Sequence, residues 1–310
     1  MGLFSRRRAD RGVPDEAFPF LRVEQADEVR SLAGRTFAEL GIEVTVHQDH
    51  VVDSSDRVFG LWNVAAACHH DGRGRSAWPD VVHDHVQRIL RGIDDDPFEE
   101  LSPEDVAART YLRLWDEASL PDLDSYPHRE FAPGIVELPA LDLPDSVAIY
   151  GREQARRHGG FGALRDHAVR NLSQLPADEL EQLEGPRGSS FHFLGGESVY
   201  TAGMAVLLPH LAARLVGEEP GLHGWLLSVP NRHQLAWHSV RDTSVFGAVE
   251  GMATFASFGY GEAPGPVSPH VYWSDGQGYH QLTQHDGDGQ VSIVVPPAFQ
   301  KVLEEITRQG

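Results

Sequence analysis

Apolar positions along the chain form alternating runs and helical stripes, and one stretch carries both. Trp225 to Val229 is a short apolar run of strand-forming residues that stops at Pro230-Asn231-Arg232. Proline fixes φ and asparagine tolerates a left-handed backbone, so this tripeptide is turn chemistry. Gln234 to Val240 then alternates, with Leu235 and Trp237 on one face and Gln234, Ala236 and His238 on the other. That is the period of a strand, and the pair reads as a hairpin. Asp242 is placed to cap a helix. Val245, Val249, Met252 and Ala256 recur at helical spacing, widened by Phe246 and Ala253, with Gly259 and Gly261 as the stop.

The same reading divides the rest of the chain. Residues 1–14 are expected to be a disordered basic tail, and 15–96 a small α-β-β-α-α module. In it, Val23, Ala26, Val29, Ala33 and Phe37 mark a helix, Val44 and Val46 a strand, and Val51 and Val52 a second strand. Val58, Leu61, Ala65 and Cys68 then read as one helical stripe, and Pro79 opens a helix carrying Val82, Val86 and Ile89. Asp94 to Pro97 is a charged breaker and the expected linker to a larger domain, 97–310. There Ser102-Pro103-Glu104-Asp105 is a helix start, predicting a helix to about Trp115. Leu120 to Pro139 carries four prolines and reads as irregular. Glu197 to Val216 reads as a helix kinked at Pro209. The fold class is α+β, a mixed or antiparallel sheet with packed helices.

Composition narrows the function classes. The formal net charge is -20, from 46 acidic against 26 basic side chains, which disfavours nucleic acid and anionic membranes as partners. Lys301 is the lone lysine, a usage that fits GC-rich bacterial coding. One cysteine, Cys68, leaves neither an internal disulfide nor a thiolate zinc cage. The chain has no apolar run of spanning length and no signal-peptide core, so the expected location is the cytoplasm.

Several segments together resemble the YtpQ-like family of uncharacterised bacterial proteins. They are FGLWNVAAACH, LDLPDSVAIY, HAVRNLSQLP and LLSVPNRHQLAWH, and the likeness runs over roughly Gly41 to Leu282. His233 stands where that family usually has Asp after the hairpin Arg, and Trp62 and Val64 alter its early helix pattern. The resemblance implies the fold and brings no catalytic residues.

The densest group of metal-ligand types is His69, His70, Asp71, His83, Asp84 and His85. Imidazole and carboxylate suit zinc or iron. His83 and His85, however, lie two apart on an expected helix and so point to different sides, and the His-Glu-x-x-His spacing is absent. Cys68 lies on an apolar stripe and reads as a buried thiol. No Gly-x-Ser-x-Gly elbow and no phosphate loop occurs. Asn231, Arg232 and His233, at the hairpin tip, are the most pointed polar group. They read either as a solvent-exposed turn or as a site where the Arg fork takes a carboxylate or phosphate. The expected function is therefore a non-catalytic binding or adaptor protein for a protein or anionic small-molecule partner, without cofactor. The alternative is a metal-dependent enzyme built on His69 to His85.

Overall fold

The computed structural model describes residues 13–309 except 16, 19, 55–56, 95–96, 99–100, 121, 144–146, 220, 264 and 287–289. Most of the expected basic tail and the middle of the expected linker therefore lie outside the described residues. The chain divides into two compact units, 1–91 and 92–310. The fold is α+β, and among the described residues every strand pair is antiparallel.

The first unit runs α1 (Val23–Glu39), β1 (Val44–Val46), β2 (His50–Asp53), β3 (Val58–Gly60), α2 (Trp62–His70) and α3 (Trp78–Asp94). Val58, read above as the start of a helical stripe, instead extends with Phe59, and the two pair with Val52 and Val51. Branched and aromatic side chains favour the pleated backbone, and α2 begins only after Leu61. Phe18, Val29, Phe37, Val51, Cys68, Trp78 and Val82 form the unit's buried interior.

The second unit begins with α4 (Pro103–Arg109), whose start carries the full capping box between Ser102 and Asp105. The helix stops there. Thr110 to Asp116 is β4, which pairs with β6 (Ile135–Asp142) over its whole length. The expected helix to Trp115 and the expected irregular stretch to Pro139 are both corrected by this pairing. Beyond β4, β5 (Arg129–Ala132) and β7 (Val147–Ile149) share the other side of β6. Proline is excluded from central strands because it lacks an N–H. Pro139 is tolerated because β5 pairs only up to Glu137 and β7 only from Ala140, leaving a gap where that donor is missing.

Helices α5 (Arg152–Arg157) and α6 (Gly160–Gln174) follow, and α6 lies on β4 through Ala168 and Leu172. Next come β8 (Glu179–Glu184), β9 (Ser190–Gly195), a 3-10 turn over Ala202–Leu207 and α7 (Leu208–Val216). Pro209 opens α7 where a kink was expected, since its fixed φ suits a first helical turn. The hairpin is β10 (Trp225–Ser228) and β11 (Gln234–Ser239), and α8 spans Ser244–Glu262. The N-cap of α8 is Thr243 and not the expected Asp242, which lies one residue earlier and accepts from Ser244 N at 2.8 Å across a local turn. Gly259 is inside α8, where a Cβ would fall 2.9 Å from the Pro230 ring, so it serves close packing and does not end the helix. Then come β12 (Val271–Ser274), β13 (Tyr279–Gln281), β14 (Thr283–His285), β15 (Val291–Ile293) and α9 (Pro297–Gln309).

Six strands form one sheet, ordered β13-β12-β10-β11-β9-β8. It is covered on both faces. Trp225, Leu227, Leu235, Trp237 and Tyr272 join the core with the 3-10 turn and α7, while Leu226, Ala236, Val271 and Trp273 meet α8 and α9. Val245, Val249, Met252 and Ala256 of α8 are all buried, as their spacing predicts. The β14–β15 ribbon is different: Val291 and Ile293, with Val294 and Val295 beyond, are exposed.

Met252 is fully enclosed, so Met252→Ala removes apolar contact and leaves a cavity. The expected loss is roughly 2–4 kcal/mol of unfolding free energy, read from urea denaturation. An unchanged midpoint would show that α8 does not contribute to the core.

Candidate anion-binding site

The hairpin tip does not project into solvent. The segment after α8 runs beside it: Arg232 N donates to Gly265 O at 2.9 Å, and Val267 N to Pro230 O at 2.9 Å. Asn231 is fully buried. Its Nδ2 donates to Gly259 O near the end of α8 and to Gln234 Oε1, and its Oδ1 accepts from His233 N. Asn231 therefore has a structural task, and the expectation of an exposed tip is corrected. Its side-chain amide ties the turn to a helix end, as turn asparagines commonly do.

Arg232 and His233 are held differently. The Arg232 stem lies directly on Gly265, where a Cβ would meet its Cδ at 2.6 Å, and Gly265 has φ +71. Both the contact and the left-handed backbone require glycine there. Arg232 Nε donates to His233 Nε2 at 2.9 Å. Nε2 is thus an acceptor, so in the neutral ring the proton sits on Nδ1, which donates to Gly196 O at 3.2 Å. Both ring nitrogens are engaged.

A third side chain completes the site and comes from another sheet. The 3-10 turn links them: Ala202 N donates to Arg232 O at 3.1 Å, and Gly203 sits against β4, where a Cβ would fall 2.3 Å from Leu112 O. The next residue of β4 is Arg113. Strand alternation places Tyr111, Arg113 and Trp115 on one face of β4. Tyr111 stacks on Tyr200 at 4.4 Å, and Tyr200 Oη donates to Asp142 Oδ1 at 2.9 Å. The Arg113 guanidinium lies 4.5 Å from the Trp115 ring centre, a cation–π contact that fixes its plane.

Arg113 is only 9% exposed, and its Nε is enclosed without a hydrogen-bond partner among the described residues. Neither Arg113 nor Arg232 has an ion pair among the described residues, in contrast to buried charges elsewhere in the chain. Glu137 is held by Arg129 and Arg165, and Asp53 by Arg57 at 2.6 Å. Burial and the nearby Arg232 charge lower the Arg113 pKa to about 10, and burial lowers that of Arg232. Both remain cationic at neutral pH. Burial and then Arg232 push His233 down to about 4, so the ring is neutral. The arrangement is two desolvated guanidinium groups, one over Trp115 and the other against His233 and Gly265, without a carboxylate paired to either among the described residues.

The residues from His69 to His85 are not brought together in this way. Among the described residues no group of three or more His, Cys, Asp or Glu is arranged to hold a metal ion. His69 packs on Phe20 and His70, Asp71 is paired with Arg73, and His83 Nε2 meets Gln87. Cys68 is buried, which raises its thiol pKa to about 12. Among the described residues no helix is long and apolar enough to cross a membrane.

Compared with known proteins, the chain matches no family model, no curated protein and no solved structure. The site's chemistry therefore rests on its own geometry.

The His233 ring has a definite pH consequence. Its folded pKa of about 4 lies below the ordinary imidazole value of 6.5, so the unfolded chain takes up the proton first as pH falls. The stability contributed by the neutral ring is complete above about 6.5 and is lost as pH falls toward about 4. His238 and His270 are lowered too, so His233→Gln should reduce, and not abolish, the drop in melting temperature between neutral and mildly acidic buffer. Equal drops in wild type and variant would remove His233 from that account.

Proposed function

We propose that the protein is a non-catalytic binding protein of the cytoplasm, and that its ligand is an anionic small molecule held between Arg113 and Arg232. The observation that carries this reading is a pair of arginines, Arg113 buried and Arg232 half-buried, without a counter-ion among the described residues. Desolvating a charge costs several kcal/mol unless a partner compensates it. A fold that keeps two such charges close together is poorly served by them until an anion arrives. Charged and strained groups gathered in one place are a mark of binding sites, where stability is given up for function.

The acidity of the chain supports a small ligand over a polymeric one. A net charge of -20 repels an extended polyanion, whereas a compact anion responds to the local pair. The resemblance to the YtpQ-like family, which brings no catalytic residues, is part of the same reading. Ser257 Oγ meets His285 Nε2 at 3.0 Å, but it also bonds back to Ala253 O at 3.0 Å within α8. That is the ordinary bond of a helix serine and supports a structural part for it.

Thermal melts of the ligand-free protein test the reading. Arg113→Met keeps the stem and removes the charge, so the variant should melt at or above the wild-type temperature. It should also lose any stabilisation that anions give the wild type at constant ionic strength. Ligand at about a hundred times its Kd stabilises by about 2.7 kcal/mol, which a melt resolves readily. Wild-type melting indifferent to every anion, with Arg113→Met destabilised, would make the arginine a structural one and end the proposal.

A further inference from the structure

Resting on that reading, we infer that the bound group is a dianionic oxyanion: two negative charges on one compact, oxygen-rich headgroup. The argument is a count of charges and of donors. Arg113 and Arg232 bring two positive charges. His233 adds none, because its Nε2 accepts from Arg232 and its Nδ1 donates to Gly196 O. The acids that flank the site are engaged with other groups and are not paired with these charges. Asp142 accepts from Tyr200, and Asp116 Oδ1 accepts from Ala118 N at 3.0 Å. Neither forms an ion pair with the two arginines. With both guanidinium groups desolvated, a monoanion leaves one of them uncompensated, whereas a dianion matches both.

The donors point the same way. The Arg113 side chain makes no hydrogen bond among the described residues, so its guanidinium N–H groups are uncommitted, and Nε is enclosed. Arg232 commits only Nε, leaving its two terminal nitrogens. Trp115 fixes the plane of one fork, and Gly265 with His233 fixes the stem of the other. Two forks held in place, one on β4 and one in the β10–β11 turn, suit a ligand with several acceptor oxygens, each taking more than one N–H. Phosphate-like groups and short dicarboxylates share that chemistry.

Titration calorimetry with sulfate and malonate as dianions, and nitrate and formate as monoanions, tests the inference at constant ionic strength near neutral pH. Sulfate, malonate or both should bind roughly tenfold or more tightly than either monoanion, because the second charge is met in a low dielectric. Tighter sulfate would assign a single tetrahedral centre, and tighter malonate a dicarboxylate; either result supports the inference. In Arg113→Gln the preference should collapse to about twofold or less, with weak monoanion binding retained through Arg232. Should Arg113→Gln fail to fold, as judged by circular dichroism, Arg232→Gln provides the same comparison through Arg113. Monoanions binding the wild type as tightly as dianions would overturn the inference while leaving the anion site standing. Absence of binding by all four probes would overturn both.

Discussion

The close approach of Gly203 to the Leu112 carbonyl is the constraint on which the second unit's geometry depends. A Cβ at that position would sit 2.3 Å from the oxygen, far inside van der Waals contact. Any other residue would push the 3-10 turn away from β4. The same turn is bonded one residue earlier to the Arg232 carbonyl. A glycine of no chemical character therefore sets the spacing between a strand of one sheet and the hairpin turn of another. The two arginines sit immediately beside these two anchor points, and their separation follows from the backbone more than from their own side chains.

The large sheet explains why such a pair can be held. Its central hairpin is apolar on both faces, with Leu226, Leu227, Ala236 and Trp237 fully buried. Two covered faces supply the hydrophobic stabilisation that lets a turn at the end of the hairpin carry an electrostatic cost. The turn is also overdetermined: it is bonded to the chain after α8, to α8 itself through Asn231, and to the 3-10 turn. Relaxation that would separate the charges has to break several of these bonds at once.

Much of this was legible from residue patterns. Alternation at Leu235 and Trp237 and the stripe through Val245, Val249 and Met252 gave the hairpin and α8, because both are periodic and local. The same patterns identified Arg232 and His233 but not their burial, since the covering segment lies some thirty residues away in sequence and pairs through backbone atoms. Arg113 was hidden for another reason. The Ser102 capping signal is strong, and no glycine or proline marks the end of α4, so a helix running through Arg113 was the natural reading. The available signal was the alternation of Leu112 and Leu114 with Tyr111, Arg113 and Trp115 after the β-branched Thr110. Its partner strand is legible only in part, as a strand-like ELPALDL, because Pro139 closes the stretch expected to be irregular; that proline lies on β6 between the β5 and β7 pairings.

The exposed β14–β15 ribbon has a practical consequence for the protein as a colloid. Val291 and Ile293 lie uncovered on a short strand, a type of surface that invites pairing with another chain. At neutral pH the large negative charge keeps copies apart. The isoelectric point is near 5.2, and there that mutual repulsion vanishes. Mild acid therefore removes the barrier to self-association while the ribbon stays as it is, and concentrated solutions keep best well above that pH or at a low salt concentration that leaves the repulsion unscreened.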